Sequence, residues 1–387
     1  MEITTNRFDD IRPLLDSEVP ETISHLISND YFRRTAEPFV KPYTWEEFSV
    51  LMGGCKSKDD FQHYIIYPVM KRLIEKTTKE MCGFGWEKIS TDRSCMFISN
   101  HRDIVLDAAF LNILFFDKSI PTTEIAIGDN LLIYPWIEEL VRLNKSFIVK
   151  RGVNVRQMLE VSKHLSDYIH YTIRERNQSV WIAQREGRAK DSNDKTQTSL
   201  LKMLTLHDSA NPSDALKKLN IVPLSITYEF DPCDYLKAKE YQLKRDNPGH
   251  RKSKADDIEN MIAGIMGYKG RVHFRFGNNI NRFISNLSRG TGRNELLNIA
   301  ASAIDDEIYR NYSFFPFNYV AYDLMTDTGT FATEYSDEDR SRFESYLQGQ
   351  INKIDIPGKD EYYLREKMIE MYGNTVKNNL ETRHIEP

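Results

Sequence analysis

Ser94–Leu111 reads SCMFISNHRDIVLDAAFL: a short apolar run, a polar turn holding Asn100, His101 and Asp103, and then a longer apolar stretch. The first run has strand length and strand composition, and the second is long enough for a helix. Asp103 can cap the helix that follows. A strand passing directly through a turn into a helix is the opening unit of an α/β fold. In such a sheet His101 would stand at the carboxyl end of a strand, where open α/β sheets place ligands.

The same alternation continues downstream. Strands are expected in TEIAIG (Thr123–Gly128), SFIVKR (Ser146–Arg151), SVWIAQ (Ser179–Gln184), IVPLSITYEF (Ile221–Phe230) and the alternating GRVHFRFG (Gly270–Gly277). Helices are expected from about Leu131, over Val153–Arg176 and near Thr198–Thr205. Short apolar strands alternating with helices predict an α/β domain over about 86–290, built on a mostly parallel mixed sheet flanked by helices. Residues 1–85 read as a helical N-terminal region. Ile11, Leu14, Leu15 and Val19 keep roughly helical spacing, and so do Ile23, Leu26 and Ile27. Phe61, Tyr64, Ile65, Val69, Leu73 and Ile74 form a second stripe. Pro68 lies inside that stripe and predicts a kink or break. Residues 291–387 read as a helical C-terminal extension. DNPGHRKSKADD (Asp246–Asp257) reads as an exposed loop with solvated charges.

The chain has 387 residues, 40% of them hydrophobic, enough for a sizeable core. Its net charge of -5 argues against nucleic acid as a partner. Cys55, Cys82, Cys95 and Cys233 form no C-x-x-C pair and no zinc-type cluster with His, so reduced thiols in a cytoplasmic protein and no bound metal are expected. The N-terminus lacks an apolar signal core. Ala108–Phe116 and Asn130–Ile137 are the most apolar runs, and both fall short of the roughly 20 residues that span a bilayer.

There is no G-x-S-x-G, no G-x-x-x-x-G-K, no H-E-x-x-H and no G-x-G-x-x-G after a strand. What remains is His101 with two acids in reach, Asp103 and Asp107. A carboxylate beside an imidazole fixes its tautomer and stabilises the imidazolium formed when it takes a proton. Three further strand ends carry charge suited to phosphate. SFIVKR ends in Lys150 and Arg151. AQREGRAKD carries Arg185, Glu186, Gly187, Arg188 and Lys190. Pro223 lies inside the strand of IVPLSITYEF, which predicts an edge or a bulge beside a site.

The order His-Asp, Lys-Arg, Glu-Gly-Arg, Pro-strand resembles the glycerolipid acyltransferase superfamily, over about residues 90–280. It looks most similar to the glycerol-3-phosphate and dihydroxyacetone-phosphate branch, on DKTQTSLLKML, ITYEFDPCDYLKAKEY and GRVHFRFG. The resemblance implies a glycerol-3-phosphate acyltransferase-like fold. It also implies transfer of a fatty acyl group, from acyl-CoA or acyl carrier protein, to a glycerol-phosphate-type acceptor in phospholipid synthesis, with no cofactor. In that reading His101 is the general base, and Lys150, Arg151, Arg185, Glu186, Gly187, Arg188 and Pro223 shape the acceptor site. The superfamily spaces its His and Asp by four residues, and here Leu106 holds that place. LDAAFL matches the family's continuation after the acid, which favours Asp107, with Asp103 as the alternative. The Glu-Gly block departs too, because Arg188 follows Gly187 directly. A lipid product calls for a peripheral position on the inner face of the cell membrane, with Phe61–Lys76 and Tyr312–Tyr319 as candidate docking elements.

Overall fold

Seven strands form one sheet in the computed structural model, which describes residues 6–90, 92–288 and 290–383. They are β1 (Glu80–Phe84), β2 (Met96–Ser99), β3 (Glu124–Gly128), β4 (Ser146–Val149), β5 (Val180–Ala183), β6 (Ile221–Tyr228) and β7 (Arg271–Phe276). Their order is β1-β7-β6-β2-β5-β3-β4. The five strands from β6 to β4 are parallel, while β7 runs antiparallel to β6 and carries β1 parallel to itself. All six strands expected from the sequence are present, and the sheet is mixed and mostly parallel.

The pattern of each strand follows from its place. β2 and β6 are buried along their whole length, as central strands covered on both faces must be. β7 alternates instead: Val272, Phe274 and Phe276 face the core, and Arg271, His273 and Arg275 are half-exposed. On one face of the sheet Met96, Ile98, Phe147, Val180, Ile182 and Ile221 pack against the helices Val155–Arg174, Thr198–Leu204 and Arg293–Arg310. On the other, Phe97, Trp181, Leu224, Ile226 and Phe276 pack against the helices Tyr67–Thr77 and Leu106–Asp117.

Three expectations need correction. Glu80–Phe84 is a strand at the sheet edge, although residues 1–85 read as helical; its backbone pairs with β7 in register. Pro223 is neither at an edge nor in a bulge but lies inside β6, opposite Ile98 of β2. β7 ends at Phe276, and Gly277 donates its N–H to the Pro223 carbonyl, so the missing donor of Pro223 falls where β7 leaves the sheet. The two candidate membrane elements are core elements. Phe61, Ile65, Leu73 and Ile74 are buried, and so are Tyr312, Phe315 and Phe317, although Tyr64 is exposed.

Pro68 does interrupt its helix. A π-helical turn over Gln62–Ile66 precedes the Tyr67–Thr77 helix, whose first turn holds the proline that cannot donate backward. The N-terminal helices, residues 19–61, share a core of Val19, Ile23, Leu26, Phe32, Trp45, Phe48 and Met52. The C-terminal helices, from Pro316 onward, pack around Val320, Phe343, Leu347, Leu364 and Met368. The four cysteines are free thiols. Among the described residues, no helix is long and apolar enough to cross a membrane. Residues 1–5 of the N-terminal stretch lie outside the described residues.

Candidate active site

β2 runs out at Ser99, and the next residue fixes the loop. Asn100 is fully buried; its amide donates to the Ile226 carbonyl and its oxygen accepts from the Ile226 N–H. These two bonds extend the β2–β6 ladder through a side chain and set the direction in which residue 101 leaves the sheet.

His101 then meets Asp107. Its Nδ1 lies 2.8 Å from Asp107 Oδ2. A carboxylate only accepts, so Nδ1 carries the hydrogen and Nε2 holds the lone pair of the neutral ring. Nε2 has no hydrogen-bond partner among the described residues. Asp107 is held from every side. Oδ2 also accepts from the backbone N–H groups of Arg102 (2.6 Å) and Asp103 (3.1 Å), and Oδ1 accepts from the Tyr228 hydroxyl at 3.0 Å. The Tyr228 phenol is pushed well up by burial and by the Asp107 charge, so it stays a donor. The Trp181 ring meets His101 edge-on at 5.9 Å, and its N–H is tied to the Ser99 hydroxyl.

The extra residue between His101 and Asp107 is taken up by the turn. Asp103 Oδ1 accepts from the N–H groups of Val105 (2.8 Å) and Leu106 (2.7 Å), so the loop closes before the helix begins at Leu106. Asp103 therefore closes the turn ahead of the helix, whose N-cap position falls instead to Val105, and its carboxylate makes no hydrogen bond to His101. It is buried against Gly264 of the helix Lys254–Met266. Burial raises its carboxyl, and Asp107 adds to the rise. Lys269 lies close enough for Asp103 to hold its charge, yet burial still brings that ammonium down to about 8. A methyl group at residue 264 would overlap Asp103 Oδ2. Gly264→Ala is accordingly expected to cost about 1–3 kcal/mol in denaturant unfolding, despite alanine's better helix propensity.

The remaining sequence candidates divide into two groups. Arg151 and Arg185 stand beyond the carboxyl ends of β4 and β5, on the same edge of the sheet as His101. Arg151 pairs with Glu186 at 2.9 Å in a solvent-exposed bridge, and Arg185 has no ion-pair partner among the described residues. Gly187 has a positive φ of 69°, a left-handed turn that favours glycine. Lys150, by contrast, pairs with Asp10. Arg188 turns inward and donates to Asn260 at 2.9 Å, and Lys190 pairs with Glu240. Pro223 lies level with Ile98, below the turn that carries His101.

Sequence reasoning passed over Tyr228 and Arg102. Tyr228 could have been found as a polar aromatic ending a largely apolar strand. Arg102 gives no local signal: its guanidinium is buried and pairs with Asp194, fully buried, and with the Ser192 hydroxyl. Burial works against that charge, but Asp194 together with Tyr312, Asp231 and Asp107 outweighs it, so the group stays protonated.

His101 is thus an oriented imidazole with one ring nitrogen free of hydrogen bonds among the described residues, anchored on a carboxylate at the carboxyl edge of the parallel strands, which is the geometry general-base chemistry requires. Residues 84–227, less than half of the chain, match the family model described as Acyltransferase. That segment runs from the end of β1 to the end of β6 and contains the whole His101–Asp107 turn. No curated protein matches the chain. Among solved structures the chain is similar to the 1-acyl-sn-glycerophosphate (LPA) acyltransferase PlsC from Thermotoga maritima. Identity is 12%, over 75% of this chain and 95% of that one, with a TM-score of 0.36.

Proposed function

We propose that this protein is an acyltransferase that moves a fatty acyl group from a thioester donor to the hydroxyl of a glycerol-phosphate-type acceptor. The observation that carries the reading is the His101–Asp107 pair at 2.8 Å, inside the segment that matches the acyltransferase family. The Nε2 lone pair takes the proton of the acceptor hydroxyl as its oxygen attacks the thioester carbonyl. The carbon–sulfur bond then breaks, and the imidazolium returns the proton to the departing thiolate. Asp107 keeps the imidazole oriented and offsets its transient positive charge. General-base assistance of this kind contributes about 10²–10⁴-fold in rate.

In this reading Arg185 and Arg151 bind the acceptor phosphate, Arg185 because it has no ion-pair partner among the described residues and Arg151 because an exposed bridge such as the one to Glu186 contributes little and opens easily. Either change, Arg185→Gln or Arg151→Gln, is expected to raise the acceptor KM about 10–100-fold, the effect of one charged hydrogen bond, with kcat much less affected. A second reading, the same chemistry on an acceptor without phosphate, is favoured by the engagement of Lys150, Arg188 and Lys190 with Asp10, Asn260 and Glu240. An unchanged KM in both variants would select it.

The direct test incubates pure protein with labelled acyl-CoA or acyl-loaded carrier protein, with and without glycerol 3-phosphate and lysophosphatidate, and identifies products by mass spectrometry. Acceptor-dependent loss of the thioester with an acylated product is expected. Absence of product from every pairing would refute the reading.

A further inference from the structure

The helix Lys254–Met266 exposes an apolar stripe while burying polar groups on its other side. Its inward face is mixed: Asn260 and Gly264 are buried, against Arg188 and Asp103, Ile265 packs on the core, and Asp256, Asp257 and Met261 are half-buried. Its outward face carries an apolar stripe: Ile258, Ile262 and Met266, one turn apart, are all exposed, Ile262 at 57%, beside an exposed Glu259 that pairs with Lys239 at 3.8 Å. Tyr268 just beyond the helix and Val105 in the turn after His101 are exposed as well. A soluble surface helix normally buries such a stripe.

The charge around this face points to its occupant. His250 and Arg251, before the helix, and Lys254, its first residue, have no ion-pair partner among the described residues, and Lys252 reaches back to Glu240. An apolar ridge of long aliphatic side chains, flanked by unpaired basic groups and ending in a tyrosine, has the chemistry of an interfacial helix on anionic lipid. The ridge is convex, formed by one helix. Its buried face touches Asp103, so the turn that carries His101 lies about one helix thickness, roughly 10 Å, from whatever covers the outer face.

We infer that the 254–266 helix docks the protein on an anionic bilayer, with Ile258, Ile262 and Met266 among the acyl chains and Arg251 and Lys254 at the phosphates. The choice of a lipid surface rests on the acyl-transfer reading. It presents His101 to an acceptor at the membrane surface.

Vesicle sedimentation with the full chain tests this without turnover. The protein is expected to bind vesicles of phosphatidylglycerol and phosphatidylcholine, and to bind phosphatidylcholine alone more weakly. The triple variant Ile258→Gln, Ile262→Gln, Met266→Gln should lose at least about 10-fold in apparent affinity, with an unchanged urea midpoint because all three side chains are exposed. Ile262→Gln alone should lose part of this, and Ile262→Trp should show a blue-shifted emission on vesicles. The inference fails if the wild type stays in the supernatant, or if the triple variant binds as well as the wild type. It fails equally if the ridge proves to be a contact between two copies, lost as a dimer in the triple variant, or a site for acyl carrier protein rather than vesicles. Vesicle binding with no product from any donor and acceptor would overturn the acyl-transfer reading and leave the docking surface standing.

Discussion

His101→Ala should lower acyl transfer by about 10²–10⁴-fold while leaving the protein folded. The side chain is mostly buried, but its one hydrogen bond is to Asp107, and the turn around it is built by other atoms. Asn100 fixes the approach from β2, and Asp107 and Asp103 gather the backbone N–H groups of residues 102, 103, 105 and 106. Steady-state rates measured with the thioester donor, together with a urea melt, separate the two effects. Asp107→Asn should fall by less than His101→Ala. The amide oxygen can still accept from Nδ1 and from the two backbone N–H groups, and the Tyr228 hydroxyl can turn to accept from the amide. Only the negative charge is lost. Asp107→Ala should be worse, since it releases the loop. A double variant, His101→Ala with Asp107→Asn, should be no slower than His101→Ala alone, because the two residues act as one unit. Full activity in a folded His101→Ala protein would remove His101 from the chemistry altogether.

Arg102→Met is expected to destabilise the protein by about 3–5 kcal/mol, because it leaves Asp194 charged, buried and unpaired. The consequence reaches beyond the pair. The loop of residues 191–194 is also held by the Arg293–Arg310 helix, through the Tyr309 hydroxyl on the Asp194 carbonyl, and by the C-terminal helices, through the Asn374 amide on the Asp191 carbonyl. Arg102 thereby couples the turn that presents His101 to the C-terminal helices. A cavity of about 20 Å³ beside it, lined by Ser192, Tyr228, Asp231 and Tyr312 among others, has room for a water molecule. The double variant Arg102→Met, Asp194→Leu should recover much of the lost stability, since replacing both charges with apolar side chains removes the unpaired ion. Urea unfolding of the two variants checks this. Equal destabilisation by both would mean that the ion pair is not what holds the loop.

The β-α units were legible in the sequence because burial on both faces demands mostly apolar runs, and CMFI, VWIA and IVPLSITY are such runs, broken only by Ser225 and Thr227. His101 at a strand end was legible for the same reason. β1 was not: Glu80–Phe84 lies at the sheet edge, mostly half-exposed, and an edge strand needs no strong pattern of its own once β7 offers its backbone. Pro223 misled because its tolerance depends on where β7 stops, which is a fact about a strand some fifty residues away. The charged candidates divided only in three dimensions. Arg185 and Lys190 look alike as sequence, and it is Glu240 that removes one of them from the site.

By itself the sequence determined the strand–turn–helix order and placed an imidazole and two carboxylates at one strand end, because these depend on local periodicity and local turn chemistry. Only the tertiary structure decided between the carboxylates. Asp103 is drawn to the N–H groups of the turn and to Gly264, and Asp107 alone faces the ring. It likewise decided that the 254–266 helix turns its apolar stripe outward. A stripe in a sequence states which residues share a face, while the neighbours that cover the opposite face decide which way it points.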